Sequence, residues 1–98
     1  MAGTGALPSY VPAAYQQWVL QAAAGSGLPA NVVAAQIEME SGFNPNATSP
    51  VGAQGIAQFM PGTYRAVGGQ GSAYSAANEL PAYITLMSQL LKQFNALA

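Results

Sequence analysis

Prolines and glycines are placed along the first half of the chain so that they divide it into short helices. Pro12 and Pro29 suit the first turn of a helix, where the backbone N–H that proline lacks has no partner within the helix. Gly25 and Gly42 suit the left-handed conformation that commonly ends a helix. The pattern therefore predicts one helix from Pro12 to the residue before Gly25 and a second helix from Pro29 to the residue before Gly42.

Apolar residues at three-and-four spacing show which side of the first helix faces the core. This inward face is predicted to consist of Val11, Tyr15, Trp18, Val19 and Ala22. Trp18 is expected to be a core or groove-wall residue.

The second half of the chain carries further helix signals. The stretch 43–55 is rich in Asn, Pro, Ser and Gly and predicts a folded loop, after which a short helix is expected around 55–60. Pro61 is expected to begin another helix that ends at Gly68 and Gly69.

The last helix is predicted to run from Asn78, as its cap, to Leu97. Its apolar residues at helical spacing predict a buried stripe made of Leu80, Ile84, Met87, Leu91, Phe94 and Leu97. No segment shows the period-two alternation of a strand, so the sequence predicts an all-α fold.

Charged side chains are scarce, and this limits the partners that the chain binds. They make up 5% of the residues, with two basic and three acidic side chains and a net charge of -1, against about 25% in an ordinary soluble domain. So few basic groups neutralise neither a row of phosphates nor an anionic membrane surface. Nucleic-acid binding and electrostatic attachment to a membrane are therefore not expected. Membrane insertion is not expected either, because prolines and glycines interrupt the uncharged first third of the chain and glutamines make it polar.

Cysteine and histidine are absent, which excludes a thiol nucleophile, an imidazole base and a zinc site built from these residues. No metal or organic cofactor is expected. A chain of 98 residues is long enough for one domain. This domain is predicted to cover residues 1–98, of which residues 1–10 are expected to form a flexible N-terminal segment.

Acid–base chemistry in this chain is limited to three carboxylates, Glu38, Glu40 and Glu79. Glu40 lies on the same predicted helix face as Val33 and Ile37, so its carboxyl group is expected to be desolvated, with a raised pKa suited to a general acid. An alternative role for Glu40 is to hydrogen-bond the loop that follows the helix. Glu38 lies about 200° around the helix and is expected to be solvated. Glu79 is expected to interact with the positive end of the last helix.

Two stretches that follow each other in the chain resemble a known family. The residues Glu40 to Pro45, with the sequence ESGFNP, and Ser49 to Thr63, with the sequence SPVGAQGIAQFMPGT, are similar to motifs of the soluble-type lytic transglycosylases of the goose-lysozyme-like superfamily. The resemblance runs from about Tyr15 to Thr63 and more loosely through the last helix. It implies a lysozyme-like helical domain in which Glu40 is the catalytic acid and base.

The resemblance also implies which residues bind the sugar. Ser49 would lie near the acid and orient it or the substrate's acetamido group, whereas its alternative role is that of a turn residue. Gln58 and the backbone around Met60 would line the groove and hydrogen-bond an N-acetyl sugar; the alternatives are a surface glutamine and a core methionine. Tyr83 is predicted to bind substrate as one of three tyrosines on whose rings a sugar could stack. These candidates are Tyr64, Tyr74 and Tyr83.

A single catalytic carboxylate points to a reaction different from that of most glycosidases, which use two. The resemblance implies that Glu40 protonates the glycosidic oxygen between N-acetylmuramic acid and N-acetylglucosamine in peptidoglycan. The resemblance further implies that Glu40 then deprotonates the 6-hydroxyl group of the muramyl sugar, which closes a 1,6-anhydro ring. The alternatives are a hydrolytic, goose-type lysozyme-like muramidase, a non-catalytic glycan-binding module, and a helical interaction domain in which the motif is structural.

The chain departs from the family pattern after Phe94 to Ala98, where an Ala-Tyr-Asn-Ala-Gly motif and further helices normally follow. It is therefore expected to be a partial or minimal lysozyme-like domain, or one that another chain completes, with a groove that lacks one wall. Exposed apolar surface on that side is expected to favour self-association. The predicted location is extracytoplasmic, at the cell wall, reached by secretion from a larger precursor or by delivery with a phage particle, as for an endolysin.

Overall fold

The computed structural model describes residues 7–97, which form four α-helices and one 3₁₀ turn. The elements in chain order are the 3₁₀ turn Ala13–Tyr15, α1 Gln16–Ser26, α2 Ala30–Ser41, α3 Pro61–Ala66 and α4 Ala76–Ala96. Between residues 7 and 97, extended pairing is limited to two isolated bridges, Thr48 with Gln54 and Gln54 with Phe59. The prediction of an all-α fold is confirmed.

The boundaries of α1 and α2 follow proline and glycine, with one shift. Pro29 precedes α2, and Gly42, at φ 62°, ends it as predicted. The residue that ends α1 is Gly27, at φ 84°, so the prediction that Gly25 ends this helix is wrong. Gly25 instead lies against α4, where a Cβ atom would come within 2.8 Å of Ile84 Cδ1. The missing side chain at this position permits the close packing of α1 on α4.

The prediction of a short helix before α3 is wrong, because residues 55–58 form a tight turn instead. The turn is closed by Gln54 and Phe59, whose backbone N–H groups donate to each other's carbonyl oxygens at 2.8 and 2.9 Å. Gly55, at φ 85°, and Gln58, at φ 56°, adopt the left-handed conformation, which is incompatible with a right-handed helix. These four residues are called the 55–58 turn below.

Ser75, rather than Asn78, is the cap of α4. The helix begins at Ala76, and the Ser75 Oγ accepts a hydrogen bond from the Asn78 N–H at 3.3 Å. The predicted buried stripe is wrong. Leu80, Ile84, Met87 and Leu91 are half-buried, whereas Phe94 is 70% exposed and Leu97, directly after the helix, is 87% exposed. The buried residues of α4 are Glu79, Ala82 and Tyr83.

The length of α1 explains why the end of α4 is exposed. With 11 residues against 21, α1 spans about 16 Å and α4 about 31 Å. Just past the end of α1, a Cβ atom on Gly27 would lie 3.6 Å from Leu91 Cδ2. The part of α4 beyond Leu91 therefore extends past α1, which leaves Phe94 and Leu97 uncovered by that helix.

The core lies where α1, α2 and α4 meet the loop and the turn that follow α2. The ring of Trp18 packs against Tyr83, with centroids 5.3 Å apart, and its Nε1 donates to the Ala76 carbonyl oxygen at 2.8 Å. Phe43 and Phe59, each 4% exposed, anchor the loop and the turn. On the predicted inward face of the first helix, the buried residues are Val11, Trp18, Val19 and Ala22, and Tyr15 is half-buried.

Residues 7–10, which were expected to belong to a flexible N-terminal segment, take part in the fold. Leu7 packs against the core, and the ring of Tyr10 lies 6.5 Å from that of Phe43. The rest of that expected segment, residues 1–6, lies outside the described residues, as does residue 98. Among the helices of the described part of the chain, none combines the length and the apolar character needed to cross a membrane.

Candidate active site

A cleft opens between the end of α2, the 55–58 turn and α4. Its volume is about 190 Å³, and its lining contains one charged side chain. The lining residues are Gln36, Glu40, Ala57, Gln58, Phe59, Met60, Thr63, Tyr83, Leu86 and Met87. A larger cavity of about 320 Å³, between residues 68–70 and the first turns of α4, has no charged side chain in its wall. The carboxylate makes the smaller cleft the candidate active site.

Glu40 lies in the last turn of α2 and borders the cleft. The expectation that it is desolvated is wrong, because its side chain is exposed. Val33 and Ile37 on the same helix face are fully buried, but the last turn of α2 extends beyond the core, and Met39 is 87% exposed there. The alternative role is not found either, since no hydrogen bond joins the Glu40 carboxylate to the described loop that follows. The carboxylate is accessible to a ligand.

A hydroxyl group holds the end of α2 against the 55–58 turn. Ser41 Oγ donates to the Ile56 carbonyl oxygen at 2.7 Å and accepts from the Asn44 N–H at 3.2 Å. Because Ser41 directly follows Glu40, these bonds fix the helix end that carries the carboxylate relative to another wall of the cleft.

Phe43 adopts the left-handed conformation, at φ 62°, directly after Gly42. This conformation is uncommon for a bulky residue and costs about 1–3 kcal/mol. The Phe43 ring is 4% exposed and stacks on the ring of Tyr15, with centroids 6.3 Å apart, so its burial offsets the strain. Beyond Phe43 the loop supports the 55–58 turn, because the Ala47 carbonyl oxygen accepts from the Gly55 N–H at 2.9 Å.

Ser49 takes the turn role that was its alternative. Its Oγ accepts from the Ala53 N–H at 3.0 Å, and its own N–H donates to the Ala53 carbonyl oxygen at 2.9 Å. Ser49 is half-buried in the loop and does not line the cleft that Glu40 borders. Its hydroxyl hydrogen is still available as a donor, and its contact with substrate stays a prediction.

Gln58 and Met60 both line the cleft, and their contacts with a sugar stay a prediction. Gln58 lies in the 55–58 turn rather than on a helix, and its Nε2 donates to the carbonyl oxygens of Ala47 and Gly55 at 3.1 and 2.9 Å. These two bonds use both amide hydrogens, so Oε1 is the polar atom of this amide that is available to a ligand. Met60 is 43% exposed, so it does not fill a gap in the core.

The tyrosines do not provide a stacking platform inside the cleft. Tyr83 and Tyr64 are 2% and 6% exposed, so neither ring has a free face and the expectation of stacking is wrong for both. Burial raises the pKa of both hydroxyl groups. The Tyr83 hydroxyl donates to Gln36 Oε1 at 2.6 Å. Tyr74 is 37% exposed and lies outside the lining of the cleft.

Gln36 is a residue of the cleft that the sequence analysis missed. It lies one helical turn before Glu40 on α2, and both side chains line the cleft. The signal that reveals it is the i, i+4 spacing, which places two side chains on the same helix face.

Glu79 is a second residue whose environment was missed. It is fully buried in the first turn of α4, and its Oε1 accepts a 2.8 Å hydrogen bond from the Ala57 N–H. Burial raises the pKa of Glu79 to about 7, although the N–H groups of Ala57 and Phe59 favour its charged form. Its Oε2 has no hydrogen-bond partner among the described residues. No local signal reveals this contact, because the partners are 22 residues apart.

The cleft presents an exposed carboxylate, amide groups and apolar walls. Within residues 7–97, no three His, Cys, Asp or Glu side chains come together to hold a metal ion. A mostly uncharged lining with a few polar groups suits a neutral polar ligand such as a sugar.

The four helices of residues 7–97 and the cleft between them define an all-α, lysozyme-like domain. The family model of the Transglycosylase SLT domain matches residues 17–97, and the chain belongs to this family. Over 52 residues, which are 53% of the chain, the sequence is 40% identical to the soluble lytic murein transglycosylase of Escherichia coli strain K12 and to that of Escherichia coli O157:H7. The match spans 8% of the length of each of these relatives. No solved structure matches the chain.

Proposed function

We propose that the chain is a lytic transglycosylase domain that acts on peptidoglycan and cleaves the β-1,4 bond between N-acetylmuramic acid and N-acetylglucosamine. Membership of the Transglycosylase SLT domain family and the names of the E. coli relatives support this substrate class. The positions of the three carboxylates support the choice of the catalytic residue. Glu40 borders the cleft, Glu38 is exposed and outside the lining, and Glu79 is fully buried. Glu40 is therefore the general acid and base of the proposal.

The proposed reaction needs one carboxyl group that acts twice. Protonated Glu40 gives its proton to the glycosidic oxygen as the bond from that oxygen to C1 of the muramyl sugar breaks. The acetamido group on C2 of the same sugar stabilises the positive charge at C1. The Glu40 carboxylate then takes the proton of the sugar's 6-hydroxyl group as the oxygen of that hydroxyl group bonds to C1. A 1,6-anhydro ring forms, Glu40 is protonated again, and no water is consumed.

The positions of the other carboxylates do not support a mechanism with two carboxyl groups. Such mechanisms place the second group about 5 to 9.5 Å from the first, at the scissile bond. Glu38 lies about 200° around α2 from Glu40, and Glu79 is enclosed by the protein. This distribution favours attack by the sugar's own hydroxyl over attack by a water that a second carboxylate activates.

The walls of the cleft supply the proposed sugar contacts. Gln58 Oε1 and the backbone around Met60 are proposed to bind the acetamido group, whose N–H and C=O need an acceptor and a donor. Ser49 is proposed to contribute its hydroxyl from the loop. Tyr83 acts through Gln36, whose Nε2 carries hydrogens to donate. The reaction uses no metal or organic cofactor, and the proposed location is extracytoplasmic, at the cell wall, where the substrate lies.

The sugars released from purified peptidoglycan test the proposal. The chain, Glu40→Gln and Glu38→Gln are incubated with the polymer, and the products are identified by mass spectrometry. Glu38→Gln is the matched control, because it removes an exposed carboxylate two residues away on the same helix. We expect 1,6-anhydromuramyl products from the wild type and from Glu38→Gln. The rate with Glu40→Gln is expected to fall by about 100-fold or more.

Each other outcome replaces the proposal with a stated alternative. Products with a free reducing end would identify a hydrolytic, goose-type muramidase. Peptidoglycan binding without products, unchanged in Glu40→Gln, would identify a glycan-binding module. A folded chain that neither binds nor cleaves would be a helical interaction domain.

A further inference from the structure

Glu79 is a buried carboxyl group that the proposed reaction does not use. It has no exposed surface, and a buried ionisable group destabilises a fold unless its partners compensate for the lost water. Only Oε1 has a hydrogen-bond partner among the described residues, whereas Oε2 has none. The contacts of this carboxyl group with the 55–58 turn explain its burial.

The carboxyl group of Glu79 supports the 55–58 turn. Its Oε1 accepts a 2.8 Å hydrogen bond from the Ala57 N–H. Gly55 lies against the same group, since a Cβ atom on Gly55 would be 2.7 Å from Oε1 and 2.8 Å from Cδ of Glu79. The backbone of the turn therefore contacts the carboxyl group directly, and the missing side chain at Gly55 permits this close approach.

The same turn is held from the side of α2. Ser41, the residue after Glu40, donates its hydroxyl hydrogen to the Ile56 carbonyl oxygen at 2.7 Å. Ala57, which Glu79 binds, lies in the wall of the cleft that Glu40 borders. The 55–58 turn thus connects a buried carboxyl group on α4 with the helix end that carries the proposed acid.

We propose that Glu79 is a positioning residue of this site, because its carboxyl group sets the place of the 55–58 turn and hence the width of the cleft between Ala57 and Glu40. The inference rests on the proposed function of Glu40 as acid and base. Glu79 itself touches no reacting atom, since it is fully buried. It acts on substrate through the backbone of the turn.

Both charge states of Glu79 are accessible near neutral pH, and both keep an acceptor for the Ala57 N–H. Burial raises the pKa of the carboxyl group to about 7, against the opposing effect of the N–H groups of Ala57 and Phe59. Tyr64 on α3 is the titratable side chain that faces it, and its own pKa is raised by burial and then by Glu79. Glu79→Gln therefore keeps the acceptor and removes the titration, whereas Glu79→Ala removes both.

Amide hydrogen exchange at Ala57, measured by NMR without substrate, tests the support directly. The control is Ser26→Ala at the end of α1. It removes the 2.6 Å hydrogen bond from Ser26 Oγ to the Ala22 carbonyl oxygen and the 3.3 Å bond that Ser26 Oγ accepts from the Leu28 N–H. In Glu79→Ala we expect the Ala57 amide to exchange about 10-fold faster than in the control, the factor that corresponds to one lost hydrogen bond. Glu79→Gln is expected to stay within about threefold of the wild type.

Steady-state kinetics on soluble peptidoglycan fragments test the consequence for the site. Glu79→Ala is expected to raise KM about threefold or more relative to Ser26→Ala, and Glu79→Gln to restore the wild-type KM. Equal exchange at Ala57 and equal KM in Glu79→Ala and Ser26→Ala would overturn the proposal. If Glu79→Ala does not fold, Glu79→Leu replaces it, because leucine keeps the side-chain volume and removes the acceptor. Its exchange at Ala57 and its KM are then compared with those of Ser26→Ala.

The outcome is separable from that of the proposed function. If the wild type releases no sugar, the catalytic role of Glu40 fails, while exchange at Ala57 still decides whether Glu79 holds the turn. Fragment affinity is then compared between Glu40→Gln and the double variant Glu40→Gln with Glu79→Ala. Weaker binding by the double variant supports the positioning role, and unchanged binding overturns it.

Discussion

The hydroxyl group of Tyr83 donates a 2.6 Å hydrogen bond to Oε1 of Gln36. Tyr83 belongs to α4 and Gln36 to α2, so the bond links two walls of the cleft. It leaves Nε2 as the donor end of the amide, and the contact of Nε2 with Met87 Sδ, at 4.0 Å, involves a weak acceptor. The amide hydrogens of Gln36 are therefore available to a ligand, one helical turn from Glu40.

Tyr83→Phe is expected to weaken the binding of peptidoglycan fragments, because Gln36 loses the bond that orients its amide. The expected increase of the dissociation constant is about threefold to tenfold, which corresponds to the net free energy of one hydrogen bond. Titration calorimetry in the Glu40→Gln background, where the fragment is not consumed, measures this constant.

Ser26→Ala in the same background is the control for Tyr83→Phe. It also removes a buried hydroxyl group, but at the end of α1 and outside the lining of the cleft. Its dissociation constant is expected to equal that of Glu40→Gln alone. Equal constants for Tyr83→Phe and for Ser26→Ala would show that the Gln36 amide needs no orientation by Tyr83.

The stability of the fold is expected to fall as the pH rises through neutrality, and Glu79 is the reason. Burial raises its pKa in the folded chain to about 7 from an ordinary value of 4.5, so the folded chain holds this proton more tightly than the unfolded chain. The stabilisation is fully present below pH 4.5 and is lost as the pH rises through 7. The shift corresponds to about 3 kcal/mol between these limits.

Urea unfolding between about pH 4.5 and pH 8.5 measures this dependence. Glu79→Gln does not titrate at this position, so its free energy of unfolding is expected to vary less with pH. The difference between the two profiles isolates Glu79 from all other titrating groups. Profiles of equal slope would contradict a carboxyl group that is buried and protonated in the fold.

The helix boundaries and the candidate acid were predictable because their signals are local. Pro29, Gly42 and Pro61 mark helix ends through the backbone geometry of their own residues. Glu40 was selected by its helix face and, separately, by the motif that it begins. Glu40 is nevertheless exposed and not buried, because periodicity predicts the direction of a side chain and not how far the core extends.

The turn before α3 was not predictable because its support is distant in the sequence. The stretch 55–60 has apolar residues that suit a helix, yet Glu79 of a later helix holds its backbone as a turn. The exposed end of α4 has a similar cause. The spacing of Phe94 and Leu97 predicts a common face, but the face is buried only where another element covers it, and α1 is too short to do so.

Phe94→Ser is expected to leave the free energy of unfolding within about 0.5 kcal/mol of the wild type, because Phe94 is 70% exposed. Phe59→Ala, at a position that is 4% exposed, is expected to cost about 3–5 kcal/mol. Chemical denaturation compares the two variants. A similar loss in both would mean that the end of α4 is covered in solution.

Phe94→Ser also tests the expected self-association. Leu90 and Phe94 on α4 and Leu97 directly after it are large exposed apolar side chains, and exposed apolar surface promotes association. Sedimentation velocity over a range of concentrations is expected to show association of the wild type and a weaker concentration dependence for Phe94→Ser. A wild type that stays monomeric over the range would remove this expectation.

Gly55 and Gly52 have similar positive φ values, 85° and 94°, and differ in their surroundings. A Cβ atom on Gly52 has no neighbour within 4 Å, whereas one on Gly55 would collide with the Ala73 carbonyl oxygen and with Glu79 Oε1. Gly52→Ala is therefore expected to cost about 1–2 kcal/mol through backbone strain alone. Gly55→Ala is expected to cost more than about 4 kcal/mol, because the added methyl group also collides with the Ala73 carbonyl oxygen and with Glu79 and displaces the turn.

Urea unfolding of both variants measures the combined cost of the collisions at Gly55 with Ala73 and Glu79, since the strain of a positive φ is common to the two variants. Gly55→Ala is also expected to speed exchange of the Ala57 amide, as Glu79→Ala does, because both changes separate the turn from the carboxyl group. Gly52→Ala lies in the loop away from Glu79 and is expected to leave that exchange at the wild-type rate. Equal losses of stability in the two glycine variants, with Ala57 exchange unchanged in both, would show that the turn does not rest on Glu79.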